Sequence, residues 1–174
     1  MLDGEALLIQ SIHPLVIVRI HGYGTDNLVA SVIASSDYSL SGHLGEVRGG
    51  TNAIPLPGRA NKTYLSFYHS RTRLPWSSMT SYIYGAYTFT VGGSPGAYTF
   101  AMQSISPTPI MEPRKLYMDK WAGRYIDYCI YPMYIALQDE APDVLHLSFG
   151  YQDHYGYMAS FNLTRLLATL VPVS

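Results

Sequence analysis

Three apolar runs in this chain close on a polar group: LLIQSIHP (Leu7–Pro14), TYLSFYHS (Thr63–Ser70) and LHLSFGYQD (Leu145–Asp153). They deliver His13, His69 and Asp153. An imidazole donates or accepts a hydrogen bond and changes charge near neutrality. A carboxylate accepts from paired hydroxyls. Two of the runs are followed by a second strand rich in aromatics, YIYGAYTF (Tyr82–Phe89) and YGYMASF (Tyr155–Phe161). Repeated hairpins that carry His or Asp to the same end predict radially arranged sheets with polar groups at one mouth.

Each of these groups has a second, purely structural reading. A strand-end histidine bonds to backbone, and a turn aspartate bonds to its own chain. Arg48 precedes Gly49–Gly50, so its guanidinium and a closely approaching backbone could meet one ligand. It reads equally well as a solvated loop arginine. Arg71 and Arg73 follow His69 and either add to an anion site or are solvated. Asp119 and Asp127 are the other carboxylates that invite a glycosidase reading, but the sequence places no carboxylate pair at the separation of about 5–10 Å that such chemistry needs. The Gly-x-Ser-x-Gly elbow of a serine hydrolase is absent. The single cysteine, Cys129, sits among aromatics in YIDYCIYP and reads as a buried, unreactive thiol. With no cysteine pair, no zinc site is expected.

At 174 residues the chain is long enough for one domain with its own core. A hydrophobic fraction of 48% against 13% charged residues excludes a disordered chain. The net charge of −1 and the lack of a basic run argue against nucleic-acid binding by phosphate neutralisation. LVIVRI is short, carries Arg19 and does not read as a signal peptide, and no apolar stretch approaches the roughly 20 residues of a membrane span. Sixteen tyrosines are many for this length. They fit strand propensity and amphipathic packing, or an aromatic cleft of the sort that binds sugars.

Elements that would position these groups are almost all strands. Ala6–Ser11, Leu15–Ile20, Leu28–Ser35, Thr63–His69, Ser81–Val91, Ala97–Ile105, Tyr125–Tyr131, Met133–Leu137, Val144–Phe149 and Tyr155–Phe161 carry β-branched or alternating patterns. Ser35–Gly50 reads as a polar, glycine-rich loop, while GGSPG and DEAPD read as turns. Only Leu163–Leu170 reads as a helix, with Asn162 as N-cap and Pro172 ending it. The expected fold is all-β. At about 40–50 residues per four-stranded blade, residues 1–174 make a single propeller-like domain of about three to four blades plus a short C-terminal helix. A closed propeller needs at least four blades, so the chain is expected to be the C-terminal part of a larger protein.

Read in order, RGGTNAIPLP, LSFYHS, YIYGAYTF, SPTPIMEP, CIYPMYI, LSFGYQD and LTRLLATL resemble successive segments of the five-bladed β-propellers of glycoside hydrolase family 130, the mannoside phosphorylases and their relatives. The likeness runs from about Ala6 to Val173. SFYHS and YGAYTF look closer still to sugar-active propellers of glycosidase-like or glycosyltransferase-like type. The departures are Tyr68-His69-Ser70 where the family has Tyr-His-Gly, and Tyr151-Gln152 where it has small residues before the aspartate. Nothing here matches the N-terminal blade that carries the family's catalytic aspartate.

The resemblance implies a carbohydrate partner and no cofactor, with inorganic phosphate as a co-substrate. His69, Arg48 and Arg71 would hold the anion, for which charge-assisted donors are suited. Asp153, Tyr68 and His13 would contact the sugar. In inverting phosphorolysis phosphate replaces water at the anomeric carbon, and here the acid would come from outside the chain. Two other readings stand beside this one. The chain is a glycan-binding or structural propeller fragment without a proton donor, or a remnant whose open sheet edges favour pairing or aggregation.

Overall fold

The alternation of apolar and polar residues becomes three antiparallel sheets stacked as layers. The computed structural model describes residues 2, 4–38, 44–58, 62–73, 80–110, 120–121, 124–125, 129–151 and 154–174. The first sheet is a meander of β1 (Ala6–Ser11), β2 (Leu15–His21) and β3 (Val29–Ser36). The central sheet is built from β4 (Glu46–Gly49), β5 (Ile54–Pro55), β6 (Lys62–Arg73), β7 (Thr80–Ser94) and β8 (Ala97–Ile105). β4 and β5 pair with successive parts of β6. A two-residue ladder, β9 (Lys120–Trp121) with β10 (Arg124–Tyr125), precedes the third sheet. That sheet is the meander β11 (Ile130–Gln138), β12 (Ala141–Tyr151) and β13 (Tyr155–Asn162). Helix α1 (Leu163–Ala168) then leads to β14 (Val171–Pro172), which returns to pair with β8 on the central sheet.

β6 shows why three layers form. Leu65 and Phe67 point to one face and join a core with Ile130, Ile135, Leu145, Leu147 and Phe149 of the third sheet. Ser66 and Tyr68, one position out of phase, point to the other. There Tyr68 meets Ile12, Leu15 and Ile17 of the first sheet. Leu65, Ser66, Phe67 and Tyr68 all have 0% exposure, as a strand covered on both faces requires. Each large apolar side chain so buried contributes about 1.5–3 kcal/mol.

The layers touch where β1 approaches β4, where β3 approaches β8, and where β11 lies on β6 and β7. A Cβ on Gly49 of β4 would lie 3.4 Å from the Ile9 carbonyl of β1. Just after β4, Asn52 Nδ2 donates to the Ile135 carbonyl at 3.0 Å, and the Ile135 N–H donates to Asn52 Oδ1 at 2.9 Å. The amide thus mimics a strand backbone across the gap to β11.

All-β architecture with one short helix follows the expectation. Ser35–Gly50 does not behave wholly as a loop, because Glu46–Gly49 is strand β4. Glycine and charge lower strand propensity there, yet pairing with β6 overrides it. The strands expected at Tyr125–Tyr131 and Met133–Leu137 are drawn differently, since Ile130–Gln138 is one strand running through Pro132. Pro132 is tolerated because β11 is an edge strand and its register shifts between Pro132 and Tyr134. Asn162 does cap α1, accepting from the Arg165 N–H at 2.9 Å. The helix stops at Ala168, and Pro172 lies in β14 rather than terminating it.

Candidate functional site

His69 and Arg48 are direct cross-strand neighbours on β6 and β4. They share a face with Arg71 and Glu46, the next pair along the ladder, since side chains two residues apart point the same way. Across β7, His69 is opposite Tyr84 and Arg71 is opposite Tyr82. Tyr131 reaches this face from β11. Its ring centroid is 4.6 Å from that of His69 and 5.2 Å from that of Tyr82. Tyr82 and Tyr131 are both half-buried, so each ring keeps an open portion beside the cations.

The charges of this cluster are largely settled internally. Arg48 Nη2 donates to Glu46 Oε1 at 2.7 Å, and Nε donates to the same oxygen at 3.2 Å. That exposed ion pair raises the already high pKa of the guanidinium. Burial pushes the His69 imidazole below its ordinary value. The backbone of Gly49 offsets part of this shift, and the neighbouring Arg48 charge adds to it. His69 is therefore mainly neutral at pH 7, and its buried Nδ1 has no hydrogen-bond partner at ordinary distance among the described residues. A neutral imidazole, the Arg48–Glu46 ion pair, the exposed Arg71 guanidinium and two tyrosines present hydrogen-bonding atoms beside aromatic rings.

At the same end of the third sheet, Tyr155 and Tyr157 of β13 stand opposite Tyr151 and Phe149 of β12. Tyr157 stacks on Phe149 at 5.8 Å, and Phe149 in turn stacks on Tyr84 at 6.5 Å. The rings form a continuous path from β7 to exposed Tyr157 and Tyr155.

The six expected site residues do not gather in one place. Arg48, His69 and Arg71 share the face just described. Tyr68 faces the opposite way, into the core between the central and first sheets. A sugar cannot reach it there without opening that core. His13 lies in the turn between β1 and β2. Its Nε2 is 3.0 Å from the Tyr38 carbonyl and its ring packs edge-on to Tyr38, and neither contact reaches the Arg48–His69 cluster. Asp153, Asp119 and Asp127 lie outside the described residues. Cys129 is buried and forms a parallel bridge with Tyr82.

Tyr82, Tyr131, Tyr155 and Tyr157 were not singled out from sequence. The signal lay in the aromatic strands Tyr82–Phe89 and Tyr155–Phe161, where any one tyrosine reads more readily as core.

Among the described residues, no group of three His, Cys, Asp or Glu side chains is placed to hold a metal ion. No helix among them is long and apolar enough to cross a membrane. No protein-family model, curated protein or solved structure matches the chain.

Proposed function

We propose that this chain is a carbohydrate-binding β-propeller segment whose sugar site is the face formed by Arg48, His69, Tyr82 and Tyr131. The observation that carries the reading is the half-buried Tyr82–Tyr131 pair beside the Arg48–Glu46 ion pair. Aromatic rings offer a flat apolar surface to the C–H face of a sugar. The ion pair offers donors and an acceptor to its hydroxyls. Phosphate is best held by several converging charged donors, and here Glu46 offsets Arg48 and burial disfavours charge on His69, which leaves Arg71 as the cation of this face among the described residues. The glycan-binding reading is therefore favoured over phosphorolysis, in which the proton donor would lie outside the chain.

One feature supports a propeller arrangement: the first and third sheets are three-stranded meanders, and the central path β4–β6–β7–β8 also runs in chain order, with β14 added at its far edge.

The test is thermal unfolding and calorimetry of the chain with mannose-type oligosaccharides, each with and without inorganic phosphate. Oligosaccharide alone is expected to raise the Tm, because a ligand selective for the native state stabilises it. Tyr131→Ala is expected to weaken binding at least tenfold, which is about 1.4 kcal/mol. A Tm unmoved by any neutral oligosaccharide overturns the reading. A shift seen only with phosphate present moves the chain back to the phosphorylase reading.

A further inference from the structure

Inward-facing residues do not pack equally along the contact between the first and central sheets. At one end Ile12, Leu15 and Tyr68 are closed to solvent. At the other, Leu7 and Ile9 of β1 and Tyr64 and Phe100 of the central sheet face the same core yet are only partly buried. There the two layers leave a cavity of about 210 Å³, partly open to solvent. Its deeper wall is formed by Ile17 and Phe89, which are buried.

The lining sets the chemistry of an occupant. No Asp, Glu, Lys, Arg or His among the described residues contributes to it. Its polar side chains are Tyr64 and Asn52, and the Asn52 amide is already bonded to the Ile135 backbone. An ionised ligand would lose its hydration there with no charge in return, so the occupant is neutral. Volume sets the size. The cavity exceeds the roughly 150 Å³ of a dry protein cavity that binds benzene, and falls short of the roughly 300–1,000 Å³ of sites for drug-sized molecules. The walls set the shape. Tyr64 and Phe89 are direct cross-strand neighbours whose rings stack with centroids 5.5 Å apart and planes 17° from parallel. A further ring adds offset or edge contacts to this pair, which an alkyl chain does not supply. Side chains that line empty space lack the dispersion contacts that such a ring would restore.

We propose that this cavity is a binding site for a small neutral aromatic molecule of one or two rings. The ligand sits between Leu7 and Ile9 of β1 and the Tyr64–Phe89 pair, and completes the core where the layers stand apart. The lining comes from β1 and β2 of the first sheet and from β6, β7 and β8 of the central sheet, so the bound molecule ties the two layers together. This inference does not rest on the sugar-binding reading. Along β6, Tyr64 is in phase with Tyr68, which faces the first sheet, and out of phase with His69.

Thermal unfolding and calorimetry of the 174-residue chain with toluene, indole, benzoate and 1-hexanol test it. Toluene and indole are each expected to bind saturably and raise the Tm, because both bind the native state. Benzoate carries the charge that the lining cannot match, and 1-hexanol lacks the ring. Each is expected to bind at least tenfold more weakly. Ala53 lines the cavity and is half-buried, so Ala53→Phe places a ring there from the wall itself. This variant is expected to unfold cooperatively and to lose the response to both aromatics. A wild-type Tm unmoved by toluene and indole overturns the site. Equal affinity for benzoate or 1-hexanol overturns the ligand class, and a response that survives Ala53→Phe places binding elsewhere and overturns the proposal. Should Ala53→Phe lose cooperative unfolding, methyl NMR of the wild-type chain with indole carries the test. Shifts at the Leu7, Ile9 and Val91 methyls support the site, and shifts confined to other methyls overturn it.

Discussion

The phenol of Tyr68 lies across Gly85, its cross-strand partner on β7. A Cβ at Gly85 would come within 2.6 Å of Tyr68 Cε1. The glycine makes room for a ring that fills the core between the first and central sheets. Gly85→Ala is expected to destabilise the fold by about 1–3 kcal/mol, the usual cost of overpacking. A urea midpoint unchanged from wild type would mean that the ring relaxes freely.

The same ring carries a hydroxyl that is buried without a hydrogen-bond partner among the described residues. Burial raises its pKa, so it stays protonated at every ordinary pH. Tyr68→Phe removes an unsatisfied polar group and leaves the ring in place. Stability is expected to hold or rise by about 1 kcal/mol. A clear loss in equilibrium unfolding would show that the hydroxyl is satisfied in solution.

His69 links stability to pH. Its pKa is lowered in the folded chain from the ordinary 6.5, so the unfolded chain binds more protons once pH drops below that value. The contribution is fully present above pH 6.5 and is lost as pH falls toward the lowered folded pKa. His69→Phe is expected to flatten the Tm profile over this window. An unchanged slope would assign the pH dependence to another group.

Asp143 governs a lower limb. It accepts from the Thr164 hydroxyl at 2.8 Å, from the Thr164 N–H at 3.2 Å and from the Asn162 amide, and these bonds lower its pKa from 3.8. Its contribution is present above pH 3.8 and is lost as pH falls through the lowered value. Asp143→Asn is expected to remove this limb and leave the His69 limb intact. Tm measured across the acid range separates the two.

Asn52 is expected to matter more than any surface ion pair. Asn52→Ala breaks two bonds to the Ile135 backbone and leaves that N–H and carbonyl to find water or nothing. The loss should be about 1–3 kcal/mol. Glu46→Gln, by contrast, removes only an exposed charge partner of Arg48 and should leave the Tm unchanged. Denaturant curves of the two variants give the ranking directly.

Local patterning was sufficient to place most of the longer strands, the Asn162 cap and the all-β class, because period-two alternation and capping are properties of a few neighbouring residues. The proximity of Arg48 and His69 was half legible, since both were picked out while β4 was read as loop. Backbone pairing with a distant strand made β4, and no local signal records that. The sequence could not separate Tyr68 from His69 as site residues. They are adjacent in the chain, and only the register of β6 between two other layers sends one into a closed core and the other to an open face. Tyr131 joined the site by the same cause. It is distant from His69 in sequence, and contact between them exists only once the third sheet is laid on the central one.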